Sequence, residues 1–198
     1  MAGISAILTA AGESTRMGSP KPLLCWRGVT LIEHQIRCLL DGGASEVIAV
    51  LGHEANAVAS HVNGTSVRHV LNPDYRLGKT TSIKVGIRHI DPHADAILLL
   101  AVDQPRTSDI VSTVIQAHRR NDALITSPRY QGHGGHPLIF SASLKEELER
   151  ISEERQGIRE VFEAHSSEVF KLEIDDPIIR LDLNTPEAYE EAFSRLGM

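Results

Sequence analysis

The chain has 198 residues, 41% hydrophobic and 23% charged, with a formal net charge of −6. That length suits one domain with a substantial core, and the acidic excess argues against general nucleic-acid binding, which goes with a basic surplus. No apolar run approaches the roughly 18–20 residues that span a bilayer, so no membrane partner is expected.

The opening MAGISAIL has neither a basic leader nor a cleavage motif. No signal peptide is therefore expected, and the location is read as cytoplasmic. Cys25 and Cys38 are not spaced as a zinc or redox pair and read as reduced thiols.

Along the chain, a strand is expected over Ser5–Thr9, followed by the small and basic loop "AAGESTRMGSPKP". A helix follows over Leu31–Asp41, opened by a Thr30/Glu33 capping box and closed at Gly42-Gly43. Strands Glu46–Leu51 and Val67–Leu71 precede a helix over Thr81–His89. Strand Ala96–Ala101 leads through Asp103 and Pro105 to a helix over Ser108–Arg120. Next come strands Ala123–Ser127 and Pro137–Phe140, then helices Leu144–Ser152 and Ile158–Ala164. Strand Val169–Glu173 and helix Pro186–Leu196, started by Thr185-Pro186, complete the series. Most strands are unbroken apolar runs, as in sheets covered on both faces. The alternation, with no repeat or linker, predicts one domain over residues 1–198. Its expected architecture is a three-layer α/β/α fold with a mostly parallel sheet.

Ligands of such sheets bind beyond the carboxyl ends of the strands. That rule selects four loops: Gly12, Arg16 and Lys21 after the first strand; Gly52-His53 after the second; Asn72-Pro73 after the third; Asp103 after the fourth. Two familiar phosphate loops fail here. Residues 10 to 18 offer only Gly12 and Gly18, too few for a dinucleotide fingerprint, and "PDYRLGKT" has Pro73 where a P-loop needs glycine. The first loop has its own logic. Ala10, Ala11 and Gly12 let backbone amides approach a base edge or phosphate, Arg16 offers a planar fork, and Lys21 a point charge.

"LTAAGESTRMGSPKPLL" resembles the L-A-A-G-x-S-x-R-M-G-x-x-K-x-L-L signature of the molybdenum-cofactor type of nucleotidyltransferase. "LNPDYRLGKTTSIKVGI", "LLLAVDQPR", "GHGGHPLIF" and "LDLNTPEAY" resemble that family's further segments, in order, across nearly the whole chain. The resemblance implies the Rossmann-like fold of the nucleotide-diphospho-sugar transferases. It also implies transfer of a nucleoside monophosphate to a phosphorylated small molecule, with release of pyrophosphate. Arg16, Lys21 and Asp103 are the implied catalytic residues. Ala10, Ala11, Gly12, Gly52, Asn72, Gly78 and Ser82 are the implied nucleotide contacts. Mg²⁺ is the implied cofactor, held by Asp103 with Asp182 or Asn184. Lys79 departs from the family pattern, and the loop around His133 and His136 is expected to face the acceptor. Arg155 and Arg159 are candidates to reach an anionic acceptor.

Ala10-Ala11-Gly12 matches cytidylyl transfer better than guanylyl transfer, so CTP is favoured over GTP. Molybdopterin cofactor is the favoured acceptor, with a molybdenum enzyme or its chaperone as a further partner. Two other readings stand: transfer to a different acceptor such as a sugar phosphate, and a non-catalytic nucleotide- or cofactor-binding accessory protein. The second requires a degraded phosphate loop or a lost metal carboxylate.

Overall fold

The computed structural model describes residues 3–197; Met1 and Ala2 of the MAGISAIL start, and Met198, lie outside the described residues. β1 (Ile4–Ala10) is followed by a two-stranded ribbon, β2 (Cys25–Trp26) and β3 (Val29–Thr30), and then α1 (Leu31–Asp41). β4 (Glu46–Leu51), α2 (Ala55–Ala59), β5 (Val67–Leu71) and α3 (Lys79–Ile87) come next. β6 (Ala96–Ala101), α4 (Ser108–Asn121), β7 (Ile125–Tyr130), β8 (His133–Gly134) and β9 (Leu138–Ser141) follow. The chain closes with α5 (Lys145–Arg150), α6 (Ile158–Ala164), β10 (Val169–Glu173) and α7 (Pro186–Leu196).

The main sheet runs β10-β7-β9-β6-β1-β4-β5, with β8 paired to β7. β1 lies parallel to both β4 and β6, β4 is parallel to β5, and β7 is parallel to β10. Only the hairpin strands break the rule: β9 runs antiparallel to both β6 and β7, and β8 antiparallel to β7. The connection from β7 to β9 is too short for a crossover, which forces that direction.

Side chains alternate across each strand, and the two faces collect different helices. Ala6, Leu8 and Ala10 of β1 pack with Leu31, Ile32 and Leu39 of α1 and Val111 and Val114 of α4. Ile7 points the other way, toward Ile83 and Ile87 of α3, Leu148 of α5 and Val161 of α6. The fold is thus the expected three-layer sandwich. α3 comes unusually close to the sheet because Gly86 faces Ile7, where a Cβ would lie 2.5 Å from Ile7 Cγ2.

Local signals explain most boundaries. Thr30 and Glu33 form the reciprocal capping box, with Thr30 N donating to Glu33 Oε2 at 2.9 Å. Thr185 Oγ1 caps α7 by accepting from Ala188 N at 3.2 Å. Several boundaries differ from the sequence reading by one to three residues, among them β1 (Ile4–Ala10 for Ser5–Thr9), β9 (Leu138–Ser141 for Pro137–Phe140) and α5 (Lys145–Arg150 for Leu144–Ser152), and two have a clear local cause. α3 begins at Lys79 rather than Thr81, because Gly78 (φ 123°) makes the turn and Thr81 Oγ1 bonds the Gly78 carbonyl at 2.7 Å. β7 begins at Ile125 rather than Ala123, because Asp122 (φ 45°) closes α4 in a left-handed turn. It then runs through Pro128, whose carbonyl still accepts from Gly135 N at 2.9 Å. The short α2, β2, β3 and β8 carry too little periodic sequence to be seen in advance. Among the described residues, no helix is long and apolar enough to cross a membrane.

Candidate active site

The loops after β1, β4, β5 and β6 meet at one edge of the sheet, as parallel strands require. A cavity of about 460 Å³ opens there, lined from the loops after β1, β5 and β6 but not from the loop after β4; its lining includes Ala10, Ala11, Gly12, Arg16, Lys21 and Asp103. Gly78, Lys79, Ser82, His136 and Asn184 also face it. A Cβ placed on Gly12 would meet nothing within 4 Å, so this glycine leaves open room beside the backbone rather than relieving a clash. Ser14, itself at φ 55°, shapes the loop by accepting from Lys21 N at 3.1 Å. Pro20 and Pro22 flank Lys21 and restrict its backbone.

Lys21 is the centre of the arrangement. Its Nζ donates to Asp103 Oδ2 at 2.7 Å and to Asn184 Oδ1 at 2.9 Å. The three residues lie far apart in sequence, and backbone bonds bring them together. Val102 N donates to Thr9 O at 2.9 Å, which registers the Asp103 loop against β1. Leu183 N donates to the Asp103 carbonyl at 2.8 Å, which carries Asn184 to the same point. The cap of α7 is made by Thr185, so the Asn184 side chain remains available to the cavity.

Sequence reasoning passed over Arg106. Its side chain is fully buried, and its guanidinium has four carbonyl acceptors: Pro105 and Leu181 on Nη1, His136 on Nε and Ile179 on Nη2. Burial pushes its pKa down to about 10, opposed by the charges of Asp182, Asp103 and Asp176. Gln35 of α1 completes the tie, accepting from Arg106 N at 3.0 Å and donating to the Gln104 carbonyl at 2.6 Å. One cation therefore joins the Asp103 loop, the entry to β9 and the segment before Asn184. The only signal in the sequence was its place directly after Asp103-Gln104-Pro105. Arg106→Met strips these carbonyls of their shared donor. The thermal midpoint should fall by about 5–10 °C, the scale of about 2–4 kcal/mol in a domain of this size. An unchanged melting curve would show that the clamp adds no stability.

Other expected site residues lie beneath the cavity or outside it. Asn72 is buried and donates to Thr81 Oγ1 and Ser82 Oγ, both at 2.9 Å, thereby fixing the start of α3. Gly52 is a spacer, since a Cβ there would lie 2.6 Å from the Ala11 carbonyl and 2.8 Å from Tyr75 Cγ. Asp182 is exposed and outside the lining, whereas Asn184 is within it. Arg155 pairs with Glu160, and Arg159 with Glu163, each at 3.1 Å on the surface of their own segment. His133 is exposed and bonds the Gln131 carbonyl at 2.9 Å.

Among the described residues, no group of three or more His, Cys, Asp or Glu is placed to hold a metal. The Asp103 and Asn184 oxygens nonetheless converge on one point, already taken by the Lys21 ammonium. A hard divalent ion, which favours oxygen ligands and keeps several waters, fits such a pair when phosphate oxygens complete its shell.

A family model described as MobA-like NTP transferase domain matches residues 6–169. The nicotine blue oxidoreductase of Paenarthrobacter nicotinovorans is 36% identical over 152 residues, 72% of each chain. The molybdenum cofactor cytidylyltransferase of Escherichia coli strain K12 is 28% identical over 199 residues, 98% of each. Among solved structures, Rv0371c of Mycobacterium tuberculosis superposes with a TM-score of 0.84 at 26% identity, covering 98% of both chains. That protein has also been solved in complex with manganese.

Proposed function

We propose, from the premise that this chain belongs to the MobA-like NTP transferase family, that it transfers CMP from CTP to molybdopterin cofactor, with Mg²⁺, releasing pyrophosphate. The observation that carries this reading is the Lys21 ammonium held by Asp103 and Asn184 at the floor of a cavity walled by Ala10, Ala11 and Gly12. A phosphate oxygen of the acceptor attacks the α-phosphorus. The bond from that phosphorus to its β-bridging oxygen breaks, and the electron pair leaves with pyrophosphate. The protein's task is to align the two reactants and offset the negative charge that develops.

The backbone of Ala10–Gly12 holds the nucleotide, and Ser82 and Gly78 bound the same space from α3. Arg16 forks onto outer phosphate oxygens. Lys21 transfers its ammonium from the Asp103–Asn184 pair to the α-phosphate, where charge is greatest in the transition state. Asp103 and Asn184 are then the residues to hold a divalent ion. When bound, that ion supplies further charge neutralisation at the α-phosphate and leaving group. Ala11, in place of a second glycine, narrows the slot for the base and supports cytosine over a purine. The likeness to the cytidylyltransferase supports the same choice.

CTP with Mg²⁺ should therefore raise the melting temperature more than GTP, ATP or UTP at matched concentration. A ligand at about a hundred times its Kd adds about 2.7 kcal/mol by linkage, or about 5–10 °C here. A larger shift with GTP makes guanylyl transfer the better reading. Pyrophosphate release with molybdopterin cofactor, set beside a panel of sugar phosphates, then tests the acceptor; no release from any of them favours an accessory protein.

The 36% identity to the nicotine blue oxidoreductase supports a second reading, in which the same cavity serves redox chemistry; a nicotinamide cofactor is the reductant to try first. The loop after β1 lacks the spaced glycines of the usual dinucleotide site. NADH and NADPH belong in the same melting panel. A larger shift with either than with any nucleoside triphosphate would replace transfer by redox chemistry.

A further inference from the structure

The cavity has an end that the nucleotide assignment does not use. In the sheet, β6 lies between β1 and β9. The nucleotide loop follows β1, Asp103 follows β6, and His136 stands just before β9. His136 therefore lies across the Lys21–Asp103–Asn184 cluster from Ala10–Gly12. In an in-line displacement the acceptor approaches from the side opposite the leaving group, so this end has the right place for it.

His136 is held unusually firmly. Its backbone N donates to the Ile179 carbonyl at 2.8 Å, and its own carbonyl accepts from Arg106 Nε at 2.9 Å. Its ring lines the cavity, yet Nδ1 is buried with no hydrogen-bond partner among the described residues. A buried N–H left without an acceptor is rarer and costlier than an under-used acceptor atom. The favoured tautomer thus leaves Nδ1 bare and puts the proton on Nε2. Leu138 and Ile158 add apolar surface to the cavity, and Lys79 adds an exposed positive charge.

We propose that His136 contacts the acceptor directly, donating from Nε2 as a neutral imidazole to an oxygen of a phosphomonoester whose uncharged body rests on Leu138 and Ile158. This deepens the nucleotidyl-transfer reading and rests on it. Burial pushes the His136 pKa down to about 4, helped by the Arg106 charge, so the ring stays neutral near pH 7. A neutral donor can orient a phosphate without cancelling the negative charge that makes its oxygen a nucleophile. Lys79 supplies long-range attraction from the rim.

The test uses phenyl phosphate as probe, titrated calorimetrically into the full chain saturated with Mg²⁺ and α,β-methylene CTP, which cannot release pyrophosphate. His136→Phe keeps a ring but loses the donor, and should weaken phenyl phosphate binding about tenfold, the scale of one neutral hydrogen bond. His136→Gln places an amide near the Nε2 position and should bind within about twofold of wild type, whereas His136→Asn is too short and should behave like His136→Phe. Nucleotide affinity should stay within about twofold in all of them. If His136→Phe fails to fold, the Gln and Asn pair decides alone. Equal phenyl phosphate binding by all the proteins, no binding by wild type, or a matching loss of nucleotide affinity would each overturn the assignment. If none of the proteins binds nucleotide, the transfer reading fails; phenyl phosphate titrated into nucleotide-free protein then decides on His136 separately.

Discussion

Asp103→Ala should lower Mg²⁺-dependent pyrophosphate release by about a thousandfold or more, while the far-ultraviolet circular dichroism spectrum stays that of the wild type. The carboxylate sits beyond β6, a strand whose residues Ala96 to Leu100 are all buried, so its own side chain adds little to the core. It accepts the short bond from Lys21 at 2.7 Å and is the anionic member of the oxygen pair suited to a hard cation. On the proposed reading, removing it takes away the carboxylate that would hold the metal, together with the anchor of Lys21. Losses of about a hundred- to a thousandfold are usual for one group that stabilises charge in a transition state, and two such functions meet here. Asp103→Asn keeps the size and loses the charge, so it should be nearly as inactive. Steady-state kinetics across a Mg²⁺ series measures both variants. Wild-type turnover at saturating Mg²⁺ in either one would remove Asp103 from the chemistry.

Lys21→Ala should lower kcat by at least about a hundredfold, with a smaller change in the KM for nucleotide. Its ammonium is already held in the cavity: partly buried between the Asp103 and Asn184 oxygens, on a backbone braced by two prolines. Lys79→Ala should change apparent substrate affinity by about tenfold or less and leave kcat nearly intact, because Lys79 is exposed at the cavity rim. The contrast matters because Gly78-Lys79-Thr80 looks like the end of a P-loop. A second readout separates electrostatics from simple damage. With its ammonium gone from between Asp103 and Asn184, nucleotide-free Lys21→Ala should bind Mn²⁺ more tightly than wild type, as followed by electron paramagnetic resonance. A dead Lys79→Ala beside a near-normal Lys21→Ala would mean that the triphosphate lies along α3 instead.

The layer order, the family and most strand and helix positions were legible in the sequence, because each is written locally. Unbroken apolar runs mark strands covered on both faces, and Thr30 with Glu33 or Thr185 with Pro186 marks a helix start within four residues. The candidate site was legible for the same reason: Lys21 ends the loop that follows β1 and Asp103 follows β6, where parallel strands deliver their ligand loops. The difference between Asp182 and Asn184 was not local. Only the Leu183–Asp103 backbone bond turns Asn184 into the cavity and leaves Asp182 in solvent. Asn72 and Gly52 stood in the right motifs, but their places under the loop depend on Ser82, Ala11 and Tyr75, which approach from other elements.

Sequence alone therefore determined an α/β fold of the MobA-like nucleotidyltransferase type, with a basic small-residue loop after its first strand. Tertiary structure decided which side chains share a space. It put Lys21 between Asp103 and Asn184, made Arg106 the tie among three segments, and brought His136 into the cavity lining with Nδ1 buried and without a partner among the described residues. The physical reason is range. Capping and periodicity act over a few residues, whereas these contacts join positions that meet only after the sheet has set their register.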